Sequence, residues 1–456
     1  MIRDSLGFRA ELEKINEWWF TNSVKEARLY PLKREQFEIL KKELENPRIS
    51  ILIGPRRVGK SVLIKQTIEH LIKNGHNPRN VLYYSLDDPS LSVYSDNLLK
   101  DIVDYFLENI ALSGKKYIFL DEVHLFDKWY KWIKAFYDRE KDLKFILSGS
   151  SSTSLQKEAN VFLRGRTFEI EMFPLNFFEF AKFSGIKVER IDYQELLKLN
   201  EFEVRRIQHN LKNTFKEYLS VGGFPEWFKI KNQSDAKLRW FTMLIEDIPK
   251  KAIYEDIASL FGIRNVKILE QVFAFIAVHQ SKLLSYETIN DVVKLDRSTL
   301  INYIEFLKSS YLIAEILKFA GIKEQIKAKK KFLVIDQGLR NAILKDYEVK
   351  EDNLGFIFEN LIGIALFLFC KKNDAKLNYW KPNDEVDFII SDKEIIPVEA
   401  KYKNRIREND KDNLKNFMRK FKKDKAFLIT KNLYGQERVG KSSLYFIPAE
   451  IFLLSL

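Results

Sequence analysis

The sequence predicts an α/β protein: a parallel sheet with crossover helices, a helical connector, and a second α/β unit at the C-terminal end. Three observations predict it. Short β-rich runs alternate with helical patterns over residues 48–145, which is how a parallel sheet reads. The pattern turns wholly helical over 174–254, and beyond Asp336 the order becomes helix, three strands, helix, strand. At 456 residues the chain is longer than one hydrophobic core usually supports. No repeat of fixed period runs along it, so neither a solenoid nor a propeller is predicted.

The first strand, ISILI, leads into Gly54-Pro55-Arg56-Arg57-Val58-Gly59-Lys60-Ser61, which fits G-x-x-x-x-G-K-[ST], and the helical pattern SVLIKQTIEHLI follows at once. Strand, loop and helix in that order are what a phosphate-binding loop requires. Glycines let the backbone curl, so that N–H groups and the helix N-terminus point at phosphate oxygens. Lys60 is expected to reach the β- and γ-phosphates of ATP, and Ser61 to ligate Mg2+. The same expression recurs at Gly435-Gln436-Glu437-Arg438-Val439-Gly440-Lys441-Ser442, but Leu444, Tyr445, Phe446 and Ile447 after it are β-rich. A strand there cannot supply a helix N-terminus, so the second match predicts a loop between strands.

Further strands are VLYYSL, KYIFLDE and KFILSGS, separated by the helices LLKDIVDYFLENI and KWIKAFYDRE. Two of the strands are apolar enough to be buried on both faces, as central parallel strands are. KYIFLDE ends in Asp121 and Glu122, where Asp121 is expected to hold Mg2+ through water and Glu122 to polarise the attacking water. Ser148 or Ser150, ending the next strand, is a candidate polar sensor of the γ-phosphate, or else an ordinary loop serine. Arg164 and Arg166, in LRGR, are candidates for an arginine finger to a neighbouring copy or for a phosphate contact in cis; a solvated basic turn is the alternative.

In the last unit Glu359 lies on the first helix, Asp387 in VDFII, and Glu399 with Lys401 in VEAKY. Residues two apart on a strand share a face, so Glu399 and Lys401 point together, and a hairpin through residues 391–393 sets Asp387 beside them. Three carboxylates can hold Mg2+ or Mn2+, and a metal-bound water beside an ammonium suits attack on a phosphodiester. An exposed ion pair is the other reading of Glu399 and Lys401. The next helical pattern carries Leu414, Phe417, Met418 and Phe421 on one stripe and turns basic residues outward, as a phosphate-backbone contact or an ordinary solvated helix does. Over 266–319, three helical patterns and the strand LIAEILKF follow the order of a winged helix-turn-helix. Asp296 is its expected N-cap; Leu300, Ile304 and Leu307 face inward, and Arg297, Ser298, Asn302 and Lys308 outward, toward a DNA groove, which Glu305 on the same helix opposes, or toward a subunit contact.

Composition limits the function classes. Hydrophobic residues at 46%, with 36 Phe and 19 Tyr, predict a globular chain rather than a disordered one. The single cysteine, Cys370, allows no intramolecular disulfide and no zinc site of cysteine pairs, and fits a reducing cytoplasm. The N-terminus lacks the apolar stretch of a signal peptide. The longest apolar run, 361–370, is about half of a bilayer span, so a buried helix is expected there and no membrane. A net charge of +12 favours polyanionic partners.

Glu359, Asp387 and Glu-x-Lys on an αβββαβ core resemble the PD-(D/E)XK restriction-endonuclease-like superfamily, with the departure that Pro382 lies five residues before Asp387 instead of directly before it. The resemblance implies that Glu359, Asp387 and Glu399 hold the metal and that Lys401 assists catalysis. Across most of the chain, GPRRVGKS, LDE, LSGSSS, LRGR, YLSVGGFPE, EVDFII and VEAKYK resemble the prokaryotic AAA+ ATPases with a C-terminal endonuclease-like domain. That family implies an ASCE-type P-loop ATPase core within 1–175, a helical lid or connector over 176–260, a winged helix over 261–335 and the nuclease-like domain over 336–456. The expected function is a Mg-dependent ATPase that binds and processes DNA, with ATP as ligand, DNA as partner and a homo-oligomer as one assembly. The alternative is a nucleotide-operated switch or scaffold whose tail binds nucleic acid or protein without chemistry.

Overall fold

The computed structural model of the chain describes residues 5–92, 97–149, 161–258, 262–263, 265–381 and 385–456. It forms two compact units, Met1–Phe173 and Pro174–Leu456.

The first unit is built on β1 (Ile49–Ile53), β2 (Val81–Ser85), β3 (Lys116–Asp121), β4 (Leu143–Gly149) and β5 (Thr167–Glu171). Their order is β2-β3-β4-β1-β5, and every neighbouring pair is parallel. β1 and β4 are buried along their whole length, as the centre of a sheet covered on both faces must be. Because β4 lies between β1 and β3, the loop after β1 and the acidic pair ending β3 open onto the carboxyl edge of the sheet one strand apart. That edge is where open α/β sheets bind ligands. β5 was not anticipated; its run TFEIE carries two glutamates and only Ile170 is buried, so an edge strand shows no apolar pattern. The helix α1 (Lys60–Lys73) buries Leu63, Ile64, Thr67, Ile68 and Leu71, a stripe at helical spacing.

In the second unit, α2 (Glu201–Val221) ends against Gly222. A Cβ at Gly222, whose φ is +80°, would meet Asp336 Oδ1 at 2.0 Å. Gly223 N–H donates to the same carboxylate at 2.7 Å, as do the N–H groups of Gly338 and Leu339. The glycine pair of YLSVGGFPE is therefore a clasp on a buried carboxylate. Next come α3 (Val266–Val278), β6 (Leu283–Leu284), α4 (Tyr286–Val293), α5 (Arg297–Ser309), β7 (Ile313–Lys318) and β8 (Lys330–Val334), then α6 (Gln337–Ile343), α7 (Glu351–Lys372), β9 (Lys376–Trp380), β10 (Val386–Ser391), β11 (Ile395–Lys401), α8 (Asp412–Phe421), β12 (Lys425–Thr430), β13 (Gly435–Val439) and β14 (Ser442–Pro448). The strands form one sheet, β13-β14-β12-β11-β10-β9-β7-β8-β6. The join is a parallel pairing of β7 with β9 through Leu317↔Asn378 and Lys318↔Tyr379.

β10 and β11 are antiparallel, with Phe388 opposite Val398. On its other side the β10–β9 register shifts between Val386 and Ile389, a bulge of the kind that re-aims side chains. Val386 and Ile389 pack with Leu414, Phe417 and Met418 of α8. Phe388 instead faces α7, where a Cβ on Gly363 would come within 2.6 Å of its ring. α7 is long and apolar enough by composition to cross a membrane, but half of its apolar window is buried within the unit. The second loop match proves to be β13 and the turn into β14, paired antiparallel, so most of it is itself strand where a loop was expected.

Candidate functional site

The loop at the end of β1 owes its path to its glycines. Gly54 has φ +150°, and a Cβ there would lie 1.9 Å from the Met172 carbonyl oxygen; Gly59, at φ +98°, borders open space. Only glycine meets both demands cheaply. Lys60 is 4% exposed, and its Nζ donates to the carbonyls of Gly54 and Pro55 at 3.0 Å each. Ser61, in the first turn of α1, is exposed. Arg34, which no motif marks, is buried and donates to Val58 O at 2.8 Å and Phe173 O at 2.9 Å, tying the loop to the chain after β5. A loop with an ammonium turned onto its own carbonyls, a helix N-terminus and an exposed hydroxyl fits a nucleoside triphosphate with Mg2+.

Across β4, Asp121 is 1% exposed and accepts hydrogen bonds from Tyr83 Oη at 3.2 Å and from Ser148 Oγ. The same Ser148 oxygen accepts Glu122 N–H at 3.3 Å, so Ser148 fixes both members of the acidic pair. Glu122 sits at φ +52°, a strained conformation for a side-chain-bearing residue that concentrates at functional sites. Its carboxylate lies 3.3 Å from Nδ1 of the buried His124. Behind Asp121, Lys65 Nζ stands 2.9 Å over the Tyr83 ring, and burial pushes this ammonium down to about 7. Ser150 lies outside the described residues. Arg164 is exposed, whereas Arg166 pairs with Asp138 at 3.1 Å.

In the second unit Glu359, Asp387, Glu399 and Lys401 come together. Lys401 Nζ lies 2.6 Å from Glu399 Oε1 and 3.9 Å from Asp387 Oδ2. Sequence reasoning missed two further members. Lys331, on β8, has a fully buried side chain and places its Nζ 2.8 Å from Glu359 Oε1, 3.1 Å from Glu385 Oε1 and 3.8 Å from Asp387 Oδ1. The β10 bulge lets Asp387 and Phe388 both face this ammonium, which lies 5.2 Å from the Phe388 ring. Asp387 Oδ2 also accepts Ala400 N–H at 2.9 Å, and Glu399 Oε2 accepts Asp387 N–H at 3.2 Å.

The crowding shows in the acidities. Burial, reinforced by Asp387, pushes Glu359 up to about 7 and Glu399 up to about 8. Burial opposes the charge on Lys331 and Lys401, but the surrounding carboxylates outweigh it and hold both above the usual lysine range. Glu359, Asp387 and Glu399 were expected to converge on Mg2+ or Mn2+. Instead each is engaged by an ammonium or a peptide N–H, and among the described residues no three acidic, His or Cys side chains are arranged to hold a metal ion. As they sit, these residues do not fit a divalent cation.

Around α5, Asp296 caps the helix through Thr299 N–H, and Leu300, Ile304 and Leu307 are buried. Arg297, Ser298 and Asn302 are exposed. Lys308 departs from the outward orientation expected: it is half-buried, 2.7 Å from both Glu305 and Glu315, because its long stem folds onto β7 where a carboxylate awaits it. Arg297 pairs with Glu287 at 3.3 Å.

A parallel sheet of order β2-β3-β4-β1-β5, with a phosphate loop ending β1 and an Asp-Glu pair ending β3, defines a nucleotide-hydrolysing ATPase of the AAA type. The AAA domain family matches residues 46–181. Two families described as domains of unknown function, DUF8612 and DUF4143, match 212–349 and 354–452. The uncharacterized protein MJ1544 of Methanocaldococcus jannaschii is 30% identical over 366 residues, covering 77% of this chain and 74% of its own length, and this chain belongs to its family. MJ1637, an uncharacterized protein of the same organism, is 25% identical over 445 residues, 92% of this chain and 89% of that one. Among solved structures, the S. cerevisiae Hsp104:casein complex is similar at 16% identity and a TM-score of 0.33 over 76% of this chain and 62% of that one, too weak a likeness to carry an inference.

Proposed function

We propose that this ATPase works on DNA, with ATP turnover in Met1–Phe173 governing how Pro174–Leu456 engages it, and that the C-terminal carboxylate cluster does not cut in its present arrangement. The observation that carries DNA as the partner is on α8. Arg419, Lys420 and Lys422 are exposed and Lys423 is half-exposed at its C-terminal end, and none of the four has an ion-pair partner among the described residues. Nearby Lys411 and Lys415, by contrast, are neutralised by Glu408 and Glu437. Unpaired cations at one helix end suit a phosphate backbone, whereas the basic residues of α5 are spent on local carboxylates. The reading divides the second unit into a connector, a winged helix and a nuclease-like tail, and shifts the main DNA contact to the tail.

In the first unit Lys60 leaves its loop carbonyls for the phosphates, and Ser61 and Asp121 are the residues that would hold Mg2+. When bound, Mg2+ neutralises phosphate charge. Glu122 accepts the proton of the attacking water, while Ser148 and His124 fix its position. In trans, Arg164 is the exposed candidate for a finger to a neighbouring copy.

The test is a salt series of DNA binding with and without ATP. Replacing Arg419, Lys420, Lys422 and Lys423 by Ala is expected to weaken binding uniformly across sequences and to lower the salt slope by about 0.9 for each phosphate that is no longer neutralised; an unchanged slope rejects the DNA contact. A second reading, metal-dependent cutting, draws on the convergence of Glu359, Asp387, Glu399 and Lys401. It requires Mg2+- or Mn2+-dependent cleavage that Asp387→Ala and Lys401→Ala abolish, and it falls if single-stranded, duplex and branched DNA all survive.

A further inference from the structure

Lys331 belongs to none of the motifs, yet it stands at the centre of the carboxylate cluster. Lysine is almost never fully buried unless paired, and here the whole side chain is inside. Two parts of the fold bring oxygens to it: α7 through Glu359, and β10 with the residue just before it through Asp387, whose carbonyl oxygen also lies 3.4 Å away, and Glu385. Oxygens gathered from separate elements around one positive charge are what a hard cation receives from a protein. The position is fixed from behind, because Asn360 on α7 donates to Val334 O and accepts Val334 N–H at 2.9 Å each, holding the end of β8 against the helix.

Charge makes the consequence specific. Glu359, Glu385, Asp387 and Glu399 bring up to four negative charges when all are ionised, and Lys331 with Lys401 returns two. A divalent ion among Glu359, Glu385 and Asp387 would share its oxygens with the ammonium and repel it at close range, in an interior that screens charge poorly. The ammonium and the metal are mutually exclusive there.

We infer that Lys331 is the cluster's own tethered cation, occupying the place a divalent metal would take between Glu359, Glu385 and Asp387 and excluding it. The inference needs the carboxylate cluster but not the DNA contact.

The test uses the full chain without nucleotide or DNA. Mn2+ uptake is followed by the electron paramagnetic resonance of the free ion and by the shift in melting temperature. The wild type is expected to show no Mn2+ uptake that Asp387→Asn removes. Lys331→Met is expected to gain one Mn2+ per chain, bound about a hundredfold more tightly than by the wild type, with a rise in melting temperature on Mn2+ addition, and to lose both when Asp387→Asn is added. A folded Lys331→Met that gains no Mn2+ overturns the inference. Should that variant not fold, the wild type still decides: Asp387-dependent Mn2+ uptake overturns the inference, and its absence supports it. Loss of DNA binding in the α8 variants bears on the DNA proposal alone.

Discussion

The two charged centres of this protein both bury ammonium and carboxylate groups, and they differ in what holds the ammonium. Around the phosphate loop Lys60 leans on backbone carbonyls, and Lys65 stands over an aromatic ring. In the C-terminal unit the interior holds carboxylates, and two lysines have been brought in to meet them. An ammonium held by backbone carbonyls can turn to an anion, whereas one ringed by carboxylates stands where a metal would. Carboxylates in a resembling pattern do not define a metal site until the counter-ions are counted.

That contrast can be broken at several points. The largest effect is expected from Lys60→Ala, which should lower ATP turnover by about a hundredfold to a thousandfold, measured by phosphate release, while Lys331→Met leaves turnover intact; equal losses would mean the centres are not separate in function. Next, stability should rank the two C-terminal lysines. Lys331→Met leaves buried carboxylates uncompensated and is expected to cost about 3–5 kcal/mol, whereas Lys401→Ala, at a position 27% exposed, should cost clearly less; denaturant titration gives the order. Ser148→Ala, which removes the hydroxyl holding Asp121 and Glu122, should reduce turnover by about ten- to a hundredfold with nucleotide affinity nearly unchanged.

The smallest effect is a pH dependence of opposite sign in the two units. Burial raises Asp336 to about 6, Glu359 and Glu450 to about 7, and Glu399 to about 8. The folded unit keeps protons that the unfolded chain releases near pH 4, so the stability of Pro174–Leu456 falls as pH rises through these values. Burial lowers Lys65 to about 7 and Lys144 to about 8. There the unfolded chain keeps the protons, and the stability of Met1–Phe173 rises above about pH 7. Calorimetry between about pH 6.5 and 9 should show the two transitions move apart in opposite directions; a common shift would reject the contrast.

Much of the first centre was legible because its information is contiguous. GPRRVGKS lies between a strand and a helix, and Asp121 and Glu122 end an apolar run, so local periodicity and one motif locate the residues that meet at the sheet edge. The order of elements in the tail was legible for the same reason. β5 was not, because an edge strand with TFEIE has no apolar signature. Lys331 was not, because it sits in KAKKKFLV, where any of the lysines reads as solvated; only the pairing of β8 with β7, at Ile316↔Lys331, and the packing of α7 turn that one inward. Asp387 was placed on the right strand, but the bulge that aims it beside Phe388 leaves no trace in VDFII.

What the sequence by itself determined is the chemistry of the first unit: a phosphate loop, its acidic partner and a parallel sheet to carry them, all set by neighbours along the chain. What only the tertiary structure decided is whether the carboxylates of the tail are open to a metal. That depends on a lysine contributed from 28 residues before Glu359 and 56 before Asp387, and the electrostatics of a buried cluster follow from every charge within a few ångströms in space, whatever its distance along the chain.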